Sequence, residues 1–149
     1  MRAVAQRVIR ASVTVADKIV GEIGAGLLVY VGVSRDDTDS DATALAAKIA
    51  GLRVFHDANE VMNQSVVEQG NSVLAVSAFT TLGDARRGRR PTYDAAAPHE
   101  RAEPLYEKFC QFLADHGVRV ERGRFRADML VASVNDGPVC VLLDTKKTF

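Results

Sequence analysis

The sequence predicts a mixed α/β domain, with largely antiparallel sheets covered by two helices in three layers, α/β/β. Three observations lead there. The first third of the chain alternates polar and apolar residues with the period of half-buried strands. Two later stretches carry apolar residues at the three-and-four spacing of amphipathic helices. The chain has 149 residues, 47% of them apolar. That suits one domain over residues 1–149, able to bury roughly two-thirds of its unfolded surface without disulfides or a metal.

The elements follow in order. Ala3–Ile9 alternates as a strand. Ser12–Val15 and Ile19–Ile23 read as strands around a tight turn at Ala16-Asp17-Lys18. Gly24 and Gly26 mark a turn, and Leu27–Val33 is apolar on both faces, as a fully buried strand is. Gly21, Gly24 and Gly26 do not make a dinucleotide fingerprint, because a strand follows them rather than a helix. Asp36–Ser40 offers helix caps, and Ala42, Leu45, Ala46, Ile49 and Leu52 form a helical stripe ending near Gly51. Val54-Phe55 is a short strand, with a loop through Asn59 and Asn63. Ser72–Ala78 is a strong strand. Thr81–Ala97 is a long polar loop, a length that usually carries function or mobility. Pro98–His116 is the second helix, with Ala102, Leu105, Phe109, Phe112 and Leu113 as its stripe and Gly117 as its stop. Pro104 fits there only near the first turn, since an interior proline removes a backbone donor. Val118–Val120, Met129–Val134 and Val139–Leu143 close the chain as strands. The order is two or three strands, then strand–helix twice, then three strands.

Composition excludes several classes. Nineteen Lys and Arg balance nineteen Asp and Glu, which argues against coating nucleic acid by bulk charge but leaves room for a local basic patch. The longest apolar run, Leu27–Val33, is far short of the ~20 residues of a membrane span, and the N-terminal stretch has no signal-peptide core. Two cysteines, Cys110 and Cys140, are too few for a disulfide framework. The expectation is a reduced, soluble, cytoplasmic domain without membrane association. His56, His99 and His116 show no metal-ligand spacing, and no nucleophile elbow or Walker loop is present. No metal or cofactor is expected. Cys110 falls on the second helix's apolar stripe and reads as core.

Three segments depart from a plain scaffold. In Ser77-Ala78-Phe79-Thr80-Thr81, hydroxyls and N–H groups at a strand end could bind a developing oxyanion, or could only satisfy the loop backbone. Asn135-Asp136-Gly137-Pro138-Val139-Cys140 lies between two apolar stretches, where Asp-Gly suits a hairpin turn. Arg86-Arg87-Gly88-Arg89-Arg90-Pro91 packs four arginines into five positions, either a solvated loop or a phosphate-binding patch.

Together with Gln6-Arg7-Val8, Gly21–Val29, Met62-Asn63 and Gly123-Arg124-Phe125 with Ala127-Asp128-Met129, these segments resemble the D-aminoacyl-tRNA deacylase family nearly end to end. The resemblance implies a homodimer that hydrolyses the ester joining a D-amino acid, or glycine, to the terminal ribose of tRNA. It implies a cis Gly137-Pro138 peptide reaching into the partner subunit's pocket as a chiral filter, with Arg7 fixing its orientation. Catalysis would lean on main-chain groups and the RNA's own 2′-hydroxyl. Ser77, Phe79 and Thr80 are then expected on the oxyanion side. Phe125 and Met129 are expected to line the pocket. Arg86, Arg87, Arg89 and Arg90 are expected on phosphates. Three positions depart from the family pattern: Ala78 for Gln, Thr81 for Leu, and Cys140 for Thr. The alternatives are a relative that holds tRNA ends without cleaving them, and a small-molecule esterase with Ser77 as nucleophile.

Overall fold

The computed structural model describes all 149 residues, Met1–Phe149. Eight strands and two α-helices form it: β1 Arg2–Val15, β2 Lys18–Ile23, β3 Gly26–Gly32, α1 Asp39–Ala50, β4 Phe55–His56, β5 Met62–Gln64, β6 Ser72–Ser77, α2 His99–Asp115, β7 Arg119–Arg122 and β8 Leu130–Asp144. A 3₁₀ turn, Phe79–Leu82, follows β6. The main sheet runs β2-β1-β3-β6-β7, and β8 pairs with β1. The pairings of β1 are antiparallel, while β3–β6 and β6–β7 are parallel. The mixed, largely antiparallel class expected from the sequence is therefore the observed one.

Alternation along the strands divides two cores. Leu27, Val29 and Val31 of β3, with Val73 and Ala75 of β6, face the helices and join Leu45, Ile49, Phe109 and Leu113. Leu28, Leu74 and Val76 face the other way and meet Val8, Val13 and Ile23. The sheet curls to close this second core. Gly21 of β2 lies so near β7 that a Cβ there would stand 2.4 Å from the Arg122 carbonyl oxygen. Helices, sheet and folded-back sheet are the three layers.

Helix α1 starts at Thr38, whose N–H donates to Asp41 Oδ2 at 2.9 Å. That is the carboxylate half of a capping box. Helix α2 runs straight through Pro104, its sixth residue. Pro104 is exposed, so the unmatched carbonyl one turn earlier can face water.

Four local expectations are corrected. First, β1 is one strand rather than two: it pairs with β3 through Val8 and with β2 from Ala11 onward, so a change of partner replaces a break. Second, Asn135–Cys140 is no hairpin turn, because β8 continues through it. Gln6 pairs with Cys140 and Val8 with Asn135, so the stretch from Asp136 to Val139 bulges opposite the lone Arg7. Third, β5 pairs with β4 within the expected loop. Fourth, β4 and β7 lie one or two residues beyond the positions read from sequence.

Candidate active site

A cavity of about 700 Å³ opens at the carboxyl ends of the parallel pair β3 and β6. Open α/β sheets commonly place ligands at such strand ends. Its walls are Tyr30 and Val31 of β3, Val33 just after it, Val76 and Ser77 of β6, Ala78 to Thr80, the start of α2, and the segment Phe125–Met129. Ser77, Phe79, Thr80, Phe125 and Met129 are thus brought together around one space.

The turn after β6 is tightly fixed. Ala78 N–H donates to the Val31 carbonyl at 2.8 Å, extending the β3–β6 ladder by one step. The Ala78 carbonyl then accepts from Thr81 N–H at 3.1 Å and from Thr81 Oγ1 at 3.0 Å. Ala78 C=O and Phe79 N–H belong to one planar trans peptide, so anchoring the carbonyl sets the direction of the N–H. The first N–H groups of a helical turn have no acceptor within it, which leaves those of Phe79 and Thr80 available. On the far end, Arg2 Nη1 donates to the Thr81 carbonyl at 3.0 Å, and its Nη2 meets Asp144 Oδ2 at 3.1 Å. The Thr81 side chain is accommodated because Gly32 leaves room. A Cβ on Gly32 would stand 2.1 Å from Thr81 Oγ1.

The opposite wall is built on Phe125 and Met129. The Phe125 ring packs against Tyr106 with centroids 6.0 Å apart. Tyr106 is itself held by a 2.9 Å hydrogen bond from its hydroxyl to the Ala75 carbonyl. The Met129 sulfur lies over Gly123, where a Cβ would come within 2.7 Å of it. Sequence reasoning missed Tyr30, His99, Arg126 and Asp128, which also line the cavity. Arg126 and Asp128 lie between the expected Phe125 and Met129, so that motif pointed to them, whereas Tyr30 and His99 are distant in sequence and only the tertiary fold brings them there. Burial raises the Tyr30 pKa, so its hydroxyl stays neutral and can donate. Cys110 is buried in the core, and burial pushes its thiol up to about 11, which leaves it unreactive at neutral pH.

The remaining expected residues stand outside this cavity. Arg7 is 4% exposed. Its Nη1 donates to the Val54 carbonyl at 2.6 Å, and its Nε donates to the Asp136 carbonyl at 3.2 Å and lies 3.1 Å from Asp136 Oδ2. It therefore pins the β8 bulge. Gly137 in that bulge has φ +131°, and a Cβ there would stand 2.7 Å from Val139 N. The Gly137–Pro138 peptide is cis. Gly137, Pro138 and Cys140 are all exposed. The arginine loop follows the 3₁₀ turn. Arg86 is ion-paired with Asp84 at 2.6 Å, and Arg87, Arg89 and Arg90 are exposed. No helix is long and apolar enough to cross a membrane.

The class of molecule emerges from comparison with known proteins. Residues 4–144 match the family model for D-Tyr-tRNA(Tyr) deacylase. A D-aminoacyl-tRNA deacylase of Koribacter versatilis (strain Ellin345) is 58% identical over 149 residues, covering 100% of both chains. One from Symbiobacterium thermophilum is 56% identical, covering 100% of this chain and 99% of that one. A solved structure of the c-Myc DNA unwinding element binding protein superposes with a TM-score of 0.92 at 38% identity, covering 97% of this chain and 99% of that one. A probable eukaryotic D-amino acid tRNA deacylase shares the fold, with a TM-score of 0.82 at 20% identity, covering 95% and 97%. The chain belongs to the D-Tyr-tRNA(Tyr) deacylase family, hydrolases of carboxylic ester bonds.

Proposed function

We propose that this chain hydrolyses the ester between a D-amino acid, or glycine, and the 3′-terminal ribose of tRNA, as a cytoplasmic homodimer. The observation that carries the reading is the cavity wall at the end of β6. Fixed main-chain donors stand there, in a chain of this family. The ester carbonyl lies against Ser77 and the Phe79 and Thr80 N–H groups, which meet the negative charge that develops on its oxygen. An aminoacyl ester is already activated, so orientation and polarisation suffice, with the neighbouring 2′-hydroxyl of the RNA assisting.

Handedness is read by Gly137 and Pro138 of a second copy. An L-residue places its side chain where a D-residue carries hydrogen, so a rigid main-chain clamp at the α-carbon excludes L and admits D and glycine. Three features support this arrangement. The bulge is pinned from inside by Arg7. It lies outside its own chain's cavity. It sits on β8, which pairs only with β1 and carries exposed Leu130, Val134 and Leu142. A long strand with one free edge and exposed apolar side chains is a ready surface for a symmetric partner. Arg87, Arg89 and Arg90, with Arg86 shared with Asp84, contact tRNA phosphates.

Purified protein incubated with D-Tyr-tRNA and L-Tyr-tRNA tests the reading. Release from the D-substrate only is expected. Tight binding without release would favour a tRNA-holding relative. Loss of all activity in Ser77→Ala, including on small esters, would favour a serine esterase.

A further inference from the structure

The cavity and the arginine loop are joined by aromatic surface that neither explains. Phe79 lines the cavity and is 56% exposed, and Tyr93 is 37% exposed. Their rings meet edge to face, with centroids 5.0 Å apart and planes at 75°. The chain leaves the 3₁₀ turn through Gly83 into a loop closed by two backbone hydrogen bonds between Asp84 and Thr92, at 2.8 and 2.9 Å. Tyr93 follows at once. A Cβ on Gly83 would stand 3.0 Å from Tyr93 Cε1, so glycine lets the ring lie along the turn. The sequence of surfaces is arginines, Tyr93, Phe79, cavity.

We propose that Tyr93, seated on Phe79, is the stacking platform for the base preceding the terminal adenosine of tRNA. This rests on the reading that the ester is cleaved in the cavity. A pocket of about 700 Å³ holds one drug-sized ligand, a size matched by a single aminoacylated nucleoside. The preceding base then stays outside, at the cavity mouth. An edge-to-face pair leaves a ring face open there. Base–aromatic stacking tolerates any base, and it commonly lies beside a basic track for the backbone. The exposed Arg87, Arg89 and Arg90 supply that track beyond Tyr93, while Asp84 engages Arg86. The two features lie in the order that a single-stranded 3′ end entering the cavity would meet them.

Steady-state deacylation of two substrates tests this. On D-Tyr-tRNA, Tyr93→Ala is expected to raise KM about 10-fold with kcat nearly unchanged, and Tyr93→Phe to retain wild-type values. On 3′-O-D-tyrosyl-adenosine, which has no preceding base, Tyr93→Ala should equal wild type. Equal losses on both substrates would make the ring a prop for the turn and overturn the proposal, as would no loss on either. Ala127→Trp fills the cavity and should abolish cleavage of both. Undiminished cleavage there would defeat the cavity reading itself, and the platform with it. The unaltered protein gives a second measurement. Photo-crosslinking of tRNA with 4-thiouridine in place of the penultimate nucleotide should map to the peptide containing Tyr93. A crosslink elsewhere, or none, overturns the assignment.

Discussion

The turn after β6 and the bulge in β8 are both main-chain devices, yet they are built in opposite ways. The turn is held from within its own neighbourhood, by Thr81, by the β3 ladder and by Arg2, and it faces a cavity of the same chain. The bulge is held by one buried guanidinium reaching across from β1, and it faces outward. A polarising site needs donors preset before the reaction, because reorganising them during it would waste their stabilisation. In the proposed dimer, the bulge is a rigid obstacle that positions the substrate's α-carbon only when the two subunits are together. That proposal puts polarisation of the ester and positioning of the α-carbon on different strands and different subunits.

The sharpest way to break that contrast is Gly137→Ala. The new methyl meets Val139 N at 2.7 Å on a backbone at φ +131°, a conformation that L-residues rarely adopt. A loss of about 100-fold or more in D-Tyr-tRNA deacylation is expected, since misplacing a positioning group by about 1 Å can cost that much. Sedimentation should show the dimer intact. Wild-type activity in this variant would remove the bulge from the account.

Next in size, replacing Arg87, Arg89 and Arg90 together by Ala should weaken tRNA binding and reduce the log–log salt slope by about 2, at roughly 0.7 per phosphate contact on a single strand. The expectation concerns KM, because the loop contributes nothing to the cavity wall. A fall in kcat instead would couple the loop to the turn. Binding by filter retention across a salt series reads the slope.

The smallest effect concerns the anchor at the end of β8. Asp41 of α1 accepts from Thr145 Oγ1 at 2.7 Å and from Lys146 Nζ at 2.9 Å. Burial alone would raise its pKa, but hydrogen bonds from Thr145, Lys146 and Thr38 outweigh it and hold the carboxyl well below its usual range. A depressed folded pKa stabilises the fold above the unfolded value of about 3.9 and loses that contribution as pH falls below it. Asp41→Asn should therefore lower Tm by about 2–4 °C at pH 7, from roughly 1 kcal/mol of charge-assisted bonding. The gap to wild type should narrow steadily below about pH 4. A constant gap in thermal melts across that range would mean that the ionised form matters little.

How much of this was legible in the sequence depends on the range of the interactions involved. The stripes Ala42–Ile49 and Leu105–Leu113 became helices, and the run Leu27–Val33, apolar on both faces, became a strand buried on both sides. Those signals are local. Asp136-Gly137 carried an equally local signal for a turn, and it misled, because a contact with Arg7 some 129 residues away holds the strand on course. The 3₁₀ turn is four residues long, too short to print a period. On the site, the motif strings singled out Ser77, Phe79, Thr80, Phe125 and Met129, which line one cavity. They left Tyr30 and His99 unseen, since an aromatic in a buried strand and a histidine at a helix start look structural until the walls close around them.

The central claim, that each reactive centre is completed by a neighbouring copy, is tested most directly by mixing two inactive variants. Ala127→Trp blocks its own cavity but offers an intact bulge, while Gly137→Ala keeps its cavity but lacks the filter. When the two are unfolded together and refolded as a mixture, half the dimers should pair one of each, with one complete site per pair. The account predicts that D-Tyr-tRNA deacylation returns to about a quarter of wild type, as random pairing in a two-fold dimer requires. A mixture as inactive as its components, with mixed dimers verified by mass, would contradict it.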